Sequence, residues 1–522
     1  MINFLRAVVF AAVLSSSSMV LAQDPKLLVE QANAAYERKD FAVSADLFLK
    51  AADAGVDRID NEYNAACAFA LNGQADKAFK HLQSAIDAGL NGSASVRNDA
   101  DFASLHGDPR WLPLLASFET ANPMAPLVDE LKNHKRSSAS RYFLGRQALA
   151  DGKVTVGDTM SLFNQYYANM AQFVGEYDEA SKVYGNRKPV DDPLAKGYTR
   201  ASAANEVILA RSRGRQAVFL NESHGQSQTR AANYSLLAPL RAQGFKYLAI
   251  ETLATTDYLT PGPGHCSNTK RQDRELDRRG YAVIDTGFYT QDPVFAEIIR
   301  EALRLGYVLV AYDTKFPNTT TPMREQNQAA NLACLFKDDP KARLVLIGGF
   351  SHIGEDKNFW VPGGAMAYRF KTLTGIDPLS VDRTSELWLD QSKLAFAAPV
   401  DPRMAEGYVL RNAKGEVYGT DNFDIAVYVP APAHRNDAGG SWLELGGVRK
   451  PVLVVASQCL GHFPCLIQAR RVKEQPDAVS SDRCVLASSE SSCMLYLSHG
   501  SYEISAMDDQ EKLLASIART ID

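Results

Sequence analysis

The stretch QAVFLNESHG, residues 216–225, decides the fold of the region around it. Its apolar run AVFL, residues 217–220, is bounded by polar residues, which is typical of a buried strand in a parallel sheet. The run leads directly to a carboxylate, Glu222, and an imidazole, His224, two positions apart. Open α/β sheets bind ligands beyond the carboxyl ends of their strands, so this strand end is a candidate active site. A histidine that only caps a loop is the structural alternative.

Four more strands are predicted downstream, and each ends beside a titratable side chain. Strands and helices alternate over residues 213–395, which predicts a central α/β domain with a mostly parallel sheet. The predicted strands are residues 246–250, 281–284, 307–312 and 343–347. The side chains that follow them are Glu251, Asp285, Asp313 and His352. Because all of them follow the carboxyl ends of predicted strands, we expect these groups to converge with Glu222 and His224 at one edge of the sheet. Such a cluster favours a functional role, since buried charges are costly unless they are paired or bound to a metal.

The first 22 residues have the pattern of a secretory signal peptide. Arg6 precedes an apolar run, and Val20-Leu21-Ala22 offers a small-residue cleavage site. The run is too short for a membrane anchor, and no later run approaches the length of a membrane span. The sequence therefore predicts a periplasmic or secreted protein.

Residues 23–120 contain an internal repeat with a period of about 33 residues, close to that of the tetratricopeptide unit. The recurring residues are Tyr36, Ala45 and Ala52, followed by Phe69, Ala78 and Ala85. This spacing predicts α-helical repeats that dock a protein partner, with a purely structural cap as the alternative. Residues 121–212 show helical spacing without a recognisable site and are interpreted as a helical lead-in.

Residues 396–522 are predicted to be β-rich, with strand candidates at residues 425–429 and 452–455 and a final helix over residues 508–521. Four of the seven cysteines lie in this region, at Cys459, Cys465, Cys484 and Cys493. In an exported chain they predict two disulfides, with three possible connectivities. A zinc site is the alternative, but the spacing lacks a paired C-x-x-C arrangement. His462 and His499 are interpreted as loop residues.

Length and composition limit the class of protein. A chain of 522 residues predicts several domains, and 46% hydrophobic and 22% charged residues are typical of a globular protein with a large core. The net charge of -5 argues against nucleic acid or an anionic membrane as a partner. The fold class is therefore multidomain, with N-terminal helical repeats, a central α/β domain and a C-terminal β-rich region.

The motif series of the central region resembles the erythromycin esterase-like superfamily, which also includes haem-binding iron-regulated lipoproteins and the Tiki metalloproteases. The motifs are NESHG, AIET, RGYAVIDTGFYTQDPVFAEIIREALRLGYVLVAYD, MREQNQAANL and LIGGFSH, within residues 213–383. The esterases imply a site that matches Glu222, His224, Glu251 and His352. The Tiki relatives imply two Gly-x-x-His motifs, a glutamate and a divalent metal. Residues 349–352 keep that pattern, whereas residues 221–224 have asparagine in place of the glycine.

The leading hypothesis is an exported hydrolase that attacks an ester, amide or related bond of a small molecule or peptide with activated water. Without a metal, His224 acts as general base, with its tautomer fixed by Glu222 or Glu251. His352 then protonates the leaving group or holds the oxyanion. With a divalent metal ion, His224, His352 and Glu222 are the candidate ligands.

Further residues and alternative functions complete the prediction. The residues expected to bind substrate or support the site are Arg230, Tyr289, Asp313 and Arg324. Residues 261–279, rich in Gly, Pro and charge, are a candidate lid. The alternative function is a haem- or metal-binding protein with a partner-docking helical region. A scaffold protein that has lost its catalytic residues is a third possibility, which the presence of both histidines and both glutamates disfavours.

Overall fold

The computed structural model describes most of the chain, in two compact units, Met1–Ala85 and Ile86–Asp522. The described residues are 25–90, 96–97, 99–121, 124–133, 136–154, 162–184, 192–253, 274–313, 321–361, 363–384, 395–396, 406–429, 435–436 and 442–522. The predicted signal peptide and residues 261–273 of the predicted lid lie outside them. Within these ranges no helix combines the length and the apolar character needed to cross a membrane.

The first unit consists of helices joined by tight turns. Its helices are α1 (Pro25–Glu37), α2 (Phe41–Asp53), α3 (Arg58–Leu71) and α4 (Ala75–Asp87). Asp40 caps α2 by accepting a hydrogen bond from the backbone N–H of Val43. The recurring alanines Ala45, Ala78 and Ala85 are fully buried, as expected where small side chains let helices approach closely. The helical N-terminal region is confirmed, and its assignment to tetratricopeptide repeats stays a prediction.

The second unit is a layered α/β structure with additional helices and sheets. Its helices are α5 (Trp111–Ala121), α6 (Ala125–Lys132), α7 (Ser138–Ala150), α8 (Leu162–Phe173), α9 (Tyr177–Tyr184), α10 (Ala204–Arg211), α11 (Ser227–Tyr234), α12 (Leu237–Ala242), α13 (Arg274–Arg279), α14 (Pro293–Arg304), α15 (Thr321–Asp338) and α16 (Met366–Thr374). Its strands are β1 (Arg200–Ala203), β2 (Ala217–Glu222), β3 (Tyr247–Ile250), β4 (Val308–Ala311), β5 (Leu344–Gly349), β6 (Leu379–Asp382), β7 (Ala395–Phe396), β8 (Tyr408–Arg411), β9 (Ile425–Tyr428), β10 (Arg449–Val455), β11 (Cys465–Arg471), β12 (Asp482–Leu486), β13 (Ser492–Ser498), β14 (Gly500–Met507) and β15 (Leu513–Ile521).

Nine of the described strands form the central sheet, in the order β4-β3-β5-β2-β6-β9-β8-β1-β7. The pairings from β4 through β9 are parallel. β8 is antiparallel to both β9 and β1. The mostly parallel sheet predicted from the sequence is therefore confirmed. β8 and β9 lie in the C-terminal region of the sequence analysis, yet they pair into this sheet.

Helices cover both faces of the sheet, which explains the continuous apolar character of its strands. On β2, Val218 and Leu220 pack in one core together with side chains of α11, α12 and α14. Ala217 and Phe219 point to the opposite face and pack against α15 and α16. The alternation follows from the two-residue period of a strand. The same alternation decides towards which face of the sheet each side chain at the end of a strand points.

The C-terminal part contains two antiparallel sheets, β10-β13 and β12-β11-β14-β15. Disulfides join Cys459 to Cys465 and Cys484 to Cys493, which confirms the prediction of two bridges in this region and selects one connectivity. Cys334 is also disulfide-bonded. Disulfides persist in oxidising compartments, so they indicate a location outside the cytoplasm.

Two predicted elements are wrong. Residues 281–284 do not form a sheet strand: Val283 makes a single bridge to Ala478, and a short 3-10 helix begins at Ile284. Residues 508–521 do not form a helix, because β15 pairs with β14 instead. A short strand, β1, also interrupts the lead-in that was predicted to be helical.

Candidate functional site

The site lies at the carboxyl ends of four adjacent strands, β4, β3, β5 and β2. Glu222 is the last residue of β2, and Glu251 directly follows β3. Asp313 lies two residues beyond β4, and His352 lies in a 3-10 turn directly after β5. Because these strands run parallel, their ends deliver the side chains to the same edge. Asp285 is exposed, because the strand predicted to carry it is not present.

Glu222 and His224 form a close pair. Nδ1 of His224 lies 2.5 Å from Oε1 of Glu222. The second oxygen of Glu222 accepts a hydrogen bond of 2.8 Å from Nε of the fully buried Arg230. Burial alone would raise the pKa of Glu222, but Arg230 and His224 outweigh it and hold the pKa below its usual value. Glu222 is therefore a carboxylate that orients the imidazole.

Arg230 is held by a second buried group, Asp292. Its Nη1 donates to Oδ2 of Asp292 and to Oε1 of Gln172, each at 2.8 Å. The other oxygen of Asp292 accepts from the backbone N–H of Val294 and so caps α14. Arg230 was predicted to orient a carboxylate, and the carboxylates that it contacts are those of the protein itself.

Gly349, at the end of β5, lets His224 lie directly against the strand. A Cβ added at this position would lie 2.5 Å from Nε2 of His224 and even closer to its Cε1. On its other side the imidazole stacks on Tyr289, with ring centroids 4.1 Å apart. Phe350 contacts it edge-on at 4.9 Å. Burial raises the pKa of Tyr289 well above its usual value, with Glu251 and Glu222 adding to the effect, so the phenol stays neutral. These contacts fix the orientation of the His224 ring.

Glu251 is the second carboxylate of the site. Its Oε2 accepts a hydrogen bond of 2.5 Å from the backbone N–H of Gly349. Its Oε1 accepts one of 2.7 Å from Nη2 of Arg324, which also binds Asp313 in a two-point ion pair. Burial opposes ionisation, but His352 and Arg324 hold the pKa of Glu251 well below its usual value. Glu251 is therefore a carboxylate as well.

His352 lies between two carboxylates. Its Nε2 is 3.3 Å from Oε1 of Glu251, and its Nδ1 is 2.8 Å from Oε1 of Glu325. Burial would lower the pKa of His352, but Glu325 and Glu251 raise it to about 10. The ring is thus an imidazolium at neutral pH, and only 4% of the residue is exposed. Trp360 contacts it edge-on, with centroids 4.8 Å apart.

Two residues next to the site have left-handed backbone conformations. Thr252, after Glu251, has φ 59°, and Phe350, after Gly349, has φ 37°. Such conformations cost about 1–3 kcal/mol each in a residue with a side chain and concentrate at functional sites. The bend at Thr252 brings its carbonyl against Gly287, where an added Cβ would clash. This close approach places the following loop so that Tyr289 covers His224.

A cleft of 560 Å³ opens at this edge of the sheet, a volume suited to a small ligand. Its lining includes His224, Tyr289, Asp313 and the exposed Asp285, all predicted from the sequence, and Thr252. Glu251, Glu222, Arg230 and His352 do not line it and lie behind these residues. Among the described residues, Nε2 of His224 has no hydrogen-bond partner. His224 is therefore a residue of the site that a bound ligand can contact directly through a ring nitrogen.

The donor set fits a divalent cation. Ligand atoms of Glu222, His224 and Glu251 all lie within 4.8 Å of one another. An imidazole with a free nitrogen and two ionised carboxylates are groups that such ions prefer. His352, which the sequence analysis included among the ligands, is not part of this group, since its Nδ1 faces Glu325 and its Nε2 lies 3.3 Å from both Glu251 and Arg324.

Sequence reasoning missed two residues that complete the site, Asp292 and Glu325. The pair Asp292-Pro293 indicates only the start of a helix, and nothing in the sequence shows that Asp292 also binds Arg230. Glu325 follows Arg324 directly, and its Oε2 also accepts a hydrogen bond from the backbone N–H of Met366 at 2.8 Å. The sequence did offer a weak signal for Glu325, because it is adjacent to Arg324, which was already predicted to lie near the site.

Comparison with known proteins gives no family assignment. No family model matches the chain, and no curated protein matches it. The solved structure of RRSP, a MARTX toxin effector domain from Vibrio vulnificus CMCP6, aligns with 70% of this chain and 88% of its own, at 13% identity and a TM-score of 0.28. A structure described as bacterial protein toxins aligns with 70% of this chain and 92% of its own, at 12% identity and a TM-score of 0.27. These scores indicate only distant structural similarity and carry no functional argument.

Proposed function

We propose that this protein is a hydrolase in which His224 activates water for attack on an ester, amide or related bond. The observation that carries the proposal is His224 in the lining of the cleft, paired with the buried carboxylate of Glu222. Glu222 accepts a hydrogen bond from the Nδ1–H of His224, which leaves Nε2 as the unprotonated nitrogen that faces the bound substrate. A general base of this kind contributes roughly 10²–10⁴-fold to the rate.

The remaining groups have positioning roles in this proposal. Arg230 and Asp292 hold Glu222, and Tyr289 and Phe350 hold the imidazole plane. Arg324 and the His352 imidazolium keep Glu251 ionised beside the water. His352 is buried behind Glu251, so we assign it this electrostatic role in place of the leaving-group role that the sequence suggested. Preorganised charges of this type act without a reorganisation cost during the reaction.

The order of the motifs supports the same reaction class. The series from NESHG to LIGGFSH resembles the erythromycin esterase-like superfamily, and Glu222, His224, Glu251 and His352 occupy its implied site positions. The signal-peptide pattern and the disulfides support action in the periplasm or outside the cell. Docking of a protein partner by the N-terminal helices belongs to the same proposal.

A metal-dependent form of the hydrolase is the second candidate, and the mutual approach of Glu222, His224 and Glu251 favours it. These residues would hold the ion, and it would supply a bound water with a lowered pKa. Metal analysis of the purified protein, with activity measured before and after chelation, separates the two forms. Haem binding at the same imidazole is the non-enzymatic alternative, and the visible spectrum during haem titration tests it.

The decisive experiment screens ester and peptide substrates with the wild type and then compares the activity of His224→Ala and Glu251→Gln on the substrate that is found. The matched controls are His499→Ala and Glu301→Gln, which change the same residue types away from the cleft. We expect kcat to fall by at least about 10²-fold in both site variants and to stay at the wild-type value in both controls. Full activity of both site variants on a confirmed substrate contradicts the proposal.

A further inference from the structure

The cleft has a second wall, formed by helices α7 and α8, that the proposed hydrolysis does not use. Arg136, Arg141, Tyr166 and Asn169 line it. Arg136 is half exposed and pairs with Glu130 at 2.8 Å. Arg141 is different, because only 2% of it is exposed although it lines the cleft.

No carboxylate among the described residues pairs with Arg141. Its Nη1 donates to the carbonyl of Leu131 at 3.1 Å, and its Nε donates to the carbonyl of Ser137 at 3.3 Å. Its Nη2 has no hydrogen-bond partner within the described residues. Burial lowers the pKa of Arg141 to about 10, with the nearby Tyr166 opposing the shift, so the guanidinium is still charged at neutral pH. A buried charge without a counter-ion is costly unless a ligand supplies one.

Other buried arginines of this protein differ from Arg141 either in binding a carboxylate or in lying away from the cleft. Arg230, Arg300 and Arg435 each bind a buried carboxylate, at 2.8, 2.6 and 2.5 Å respectively. Arg383 and Arg483 bind backbone carbonyl oxygens and form no ion pair with a carboxylate within the described residues, but neither lines the cleft. Arg141 alone in this group of six combines burial, an unused nitrogen and access to the cleft.

A neighbouring polar atom points to the same use of this wall. Asn169 donates from Nδ2 to the carbonyl of Gln165 at 2.7 Å. Its Oδ1 is buried without a partner and can accept a hydrogen bond from a ligand. Of the two acidic residues that line the cleft, Asp313 is bound to Arg324 and Asp285 is exposed, and neither forms an ion pair with Arg141.

We propose that the α7–α8 wall binds an anionic group, a carboxylate or a phosphate, with Arg141 as its anchor. If the proposed hydrolysis at His224 is correct, the substrate carries this negative group at some distance from the bond that is cleaved. Arginine suits the role because its planar fork matches both anions in a two-point contact.

The test is equilibrium binding, which does not depend on catalysis. Inorganic phosphate and glutarate are titrated separately into the wild type and into His224→Ala, with calorimetry as the readout. We expect Arg141→Met to weaken binding of the preferred anion roughly 10- to 100-fold and Arg141→Lys to weaken it less. Arg146→Met, on the same helix but outside the cleft, is the matched control and should bind within about twofold of the wild type.

The proposal is overturned if neither anion binds the folded wild type, or if Arg141→Met binds it unchanged. Circular dichroism checks that each variant folds. If Arg141→Met does not fold, Arg141→Lys is used for the comparison. A kinetic pair, 4-nitrophenyl acetate and the mono-4-nitrophenyl ester of glutarate, then separates the two proposals. Arg141→Met should raise KM only for the charged ester. If glutarate binds at Arg141 but neither ester is cleaved by the wild type, the anion site stands and hydrolysis of this ester pair fails.

Discussion

At the residue scale, the site depends on two buried carboxylates that stay ionised. Each has its own cationic support, Arg230 for Glu222, and Arg324 with His352 for Glu251. Isolated buried carboxylates take up protons, so these supports decide whether the site contains anions at all. The sequence predicted the carboxylates from their position at strand ends. It could not predict that Asp292 binds Arg230 or that Glu325 faces His352, because each pair joins residues of different elements that only tertiary packing brings together.

Removal of the Arg230 side chain tests the first support. Arg230→Met leaves Glu222 and Asp292 buried without their shared cation, so we expect the free energy of unfolding to fall by about 3–5 kcal/mol. Urea unfolding followed by circular dichroism measures the change. Arg304→Met is the control, since that arginine lies on the surface and its pair with Glu301 should contribute less than about 1 kcal/mol. Equal losses of unfolding free energy in the two variants would show that the buried ion pairs of Arg230 stabilise the protein no more than a surface pair does.

The raised pKa of His352 predicts a stability change at alkaline pH. The ion pairs of the protonated ring stabilise the folded state fully below pH 6.5, its ordinary value, and this contribution is lost as the pH rises through about 10. His352→Gln removes the titrating group. We therefore expect the difference in unfolding free energy between wild type and variant to shrink over this pH window. Urea midpoints at several pH values measure it, and a pH-independent difference would contradict the assignment.

At the element scale, apolar runs that are buried on both faces predicted the strands correctly, whereas a short apolar run and an amphipathic segment led to wrong predictions. The runs of β2, β3, β4 and β5 were predicted to within two residues, because strands buried on both faces need continuous apolar sequence. Residues 281–284 are also apolar, but Tyr281 and Val283 pack with Ala478 of the C-terminal part instead of joining the sheet. β15 contains leucine and alanine, which favour helices, and only its pairing with β14 makes it a strand.

The end of β5 provides a test at this scale. Gly349→Ala adds a methyl group where the His224 ring lies, so the strand end or the ring must move. We expect a loss of about 1–3 kcal/mol in unfolding free energy, as for other overpacked sites. Gly107→Ala is the control, because nothing lies within 4 Å of the added Cβ there, and it should change stability by less than about 0.5 kcal/mol. Thermal and urea unfolding of the two variants give the comparison, and a neutral Gly349→Ala would contradict the packing described for His224.

At the scale of the whole molecule, the C-terminal sheets are part of the same compact unit as the central sheet. Arg300 on α14 binds Glu474 after β11, and Glu176 before α9 accepts a hydrogen bond from the backbone N–H of Val485 on β12. Strand counting along the sequence predicted a β-rich tail. It could not show that β8 and β9 leave this tail to extend the central sheet, since sheet membership depends on pairing between distant segments.

The Cys484–Cys493 bridge tests how the two C-terminal sheets depend on each other, because it joins β12 of one sheet to β13 of the other. Replacing both cysteines with serine removes the restraint on the unfolded chain, and we expect a loss of about 2–4 kcal/mol. Urea unfolding under non-reducing conditions measures it. Ser488→Ala/Ser491→Ala, within the same loop, is the control. A double-serine variant as stable as the wild type would show that strand pairing alone holds these sheets together.

The edge-on contact between Trp360 and His352 gives the buried charge an optical consequence. An imidazolium quenches the emission of an indole that touches it, whereas the neutral ring quenches it much less. Because the chain has four tryptophans, the signal is the difference in emission between the wild type and Trp360→Phe. This difference should grow as His352 loses its proton in alkaline solution, and the growth should be absent when both proteins also carry His352→Gln. A native chromophore thus reports the protonation of a group that no solvent-borne probe can reach.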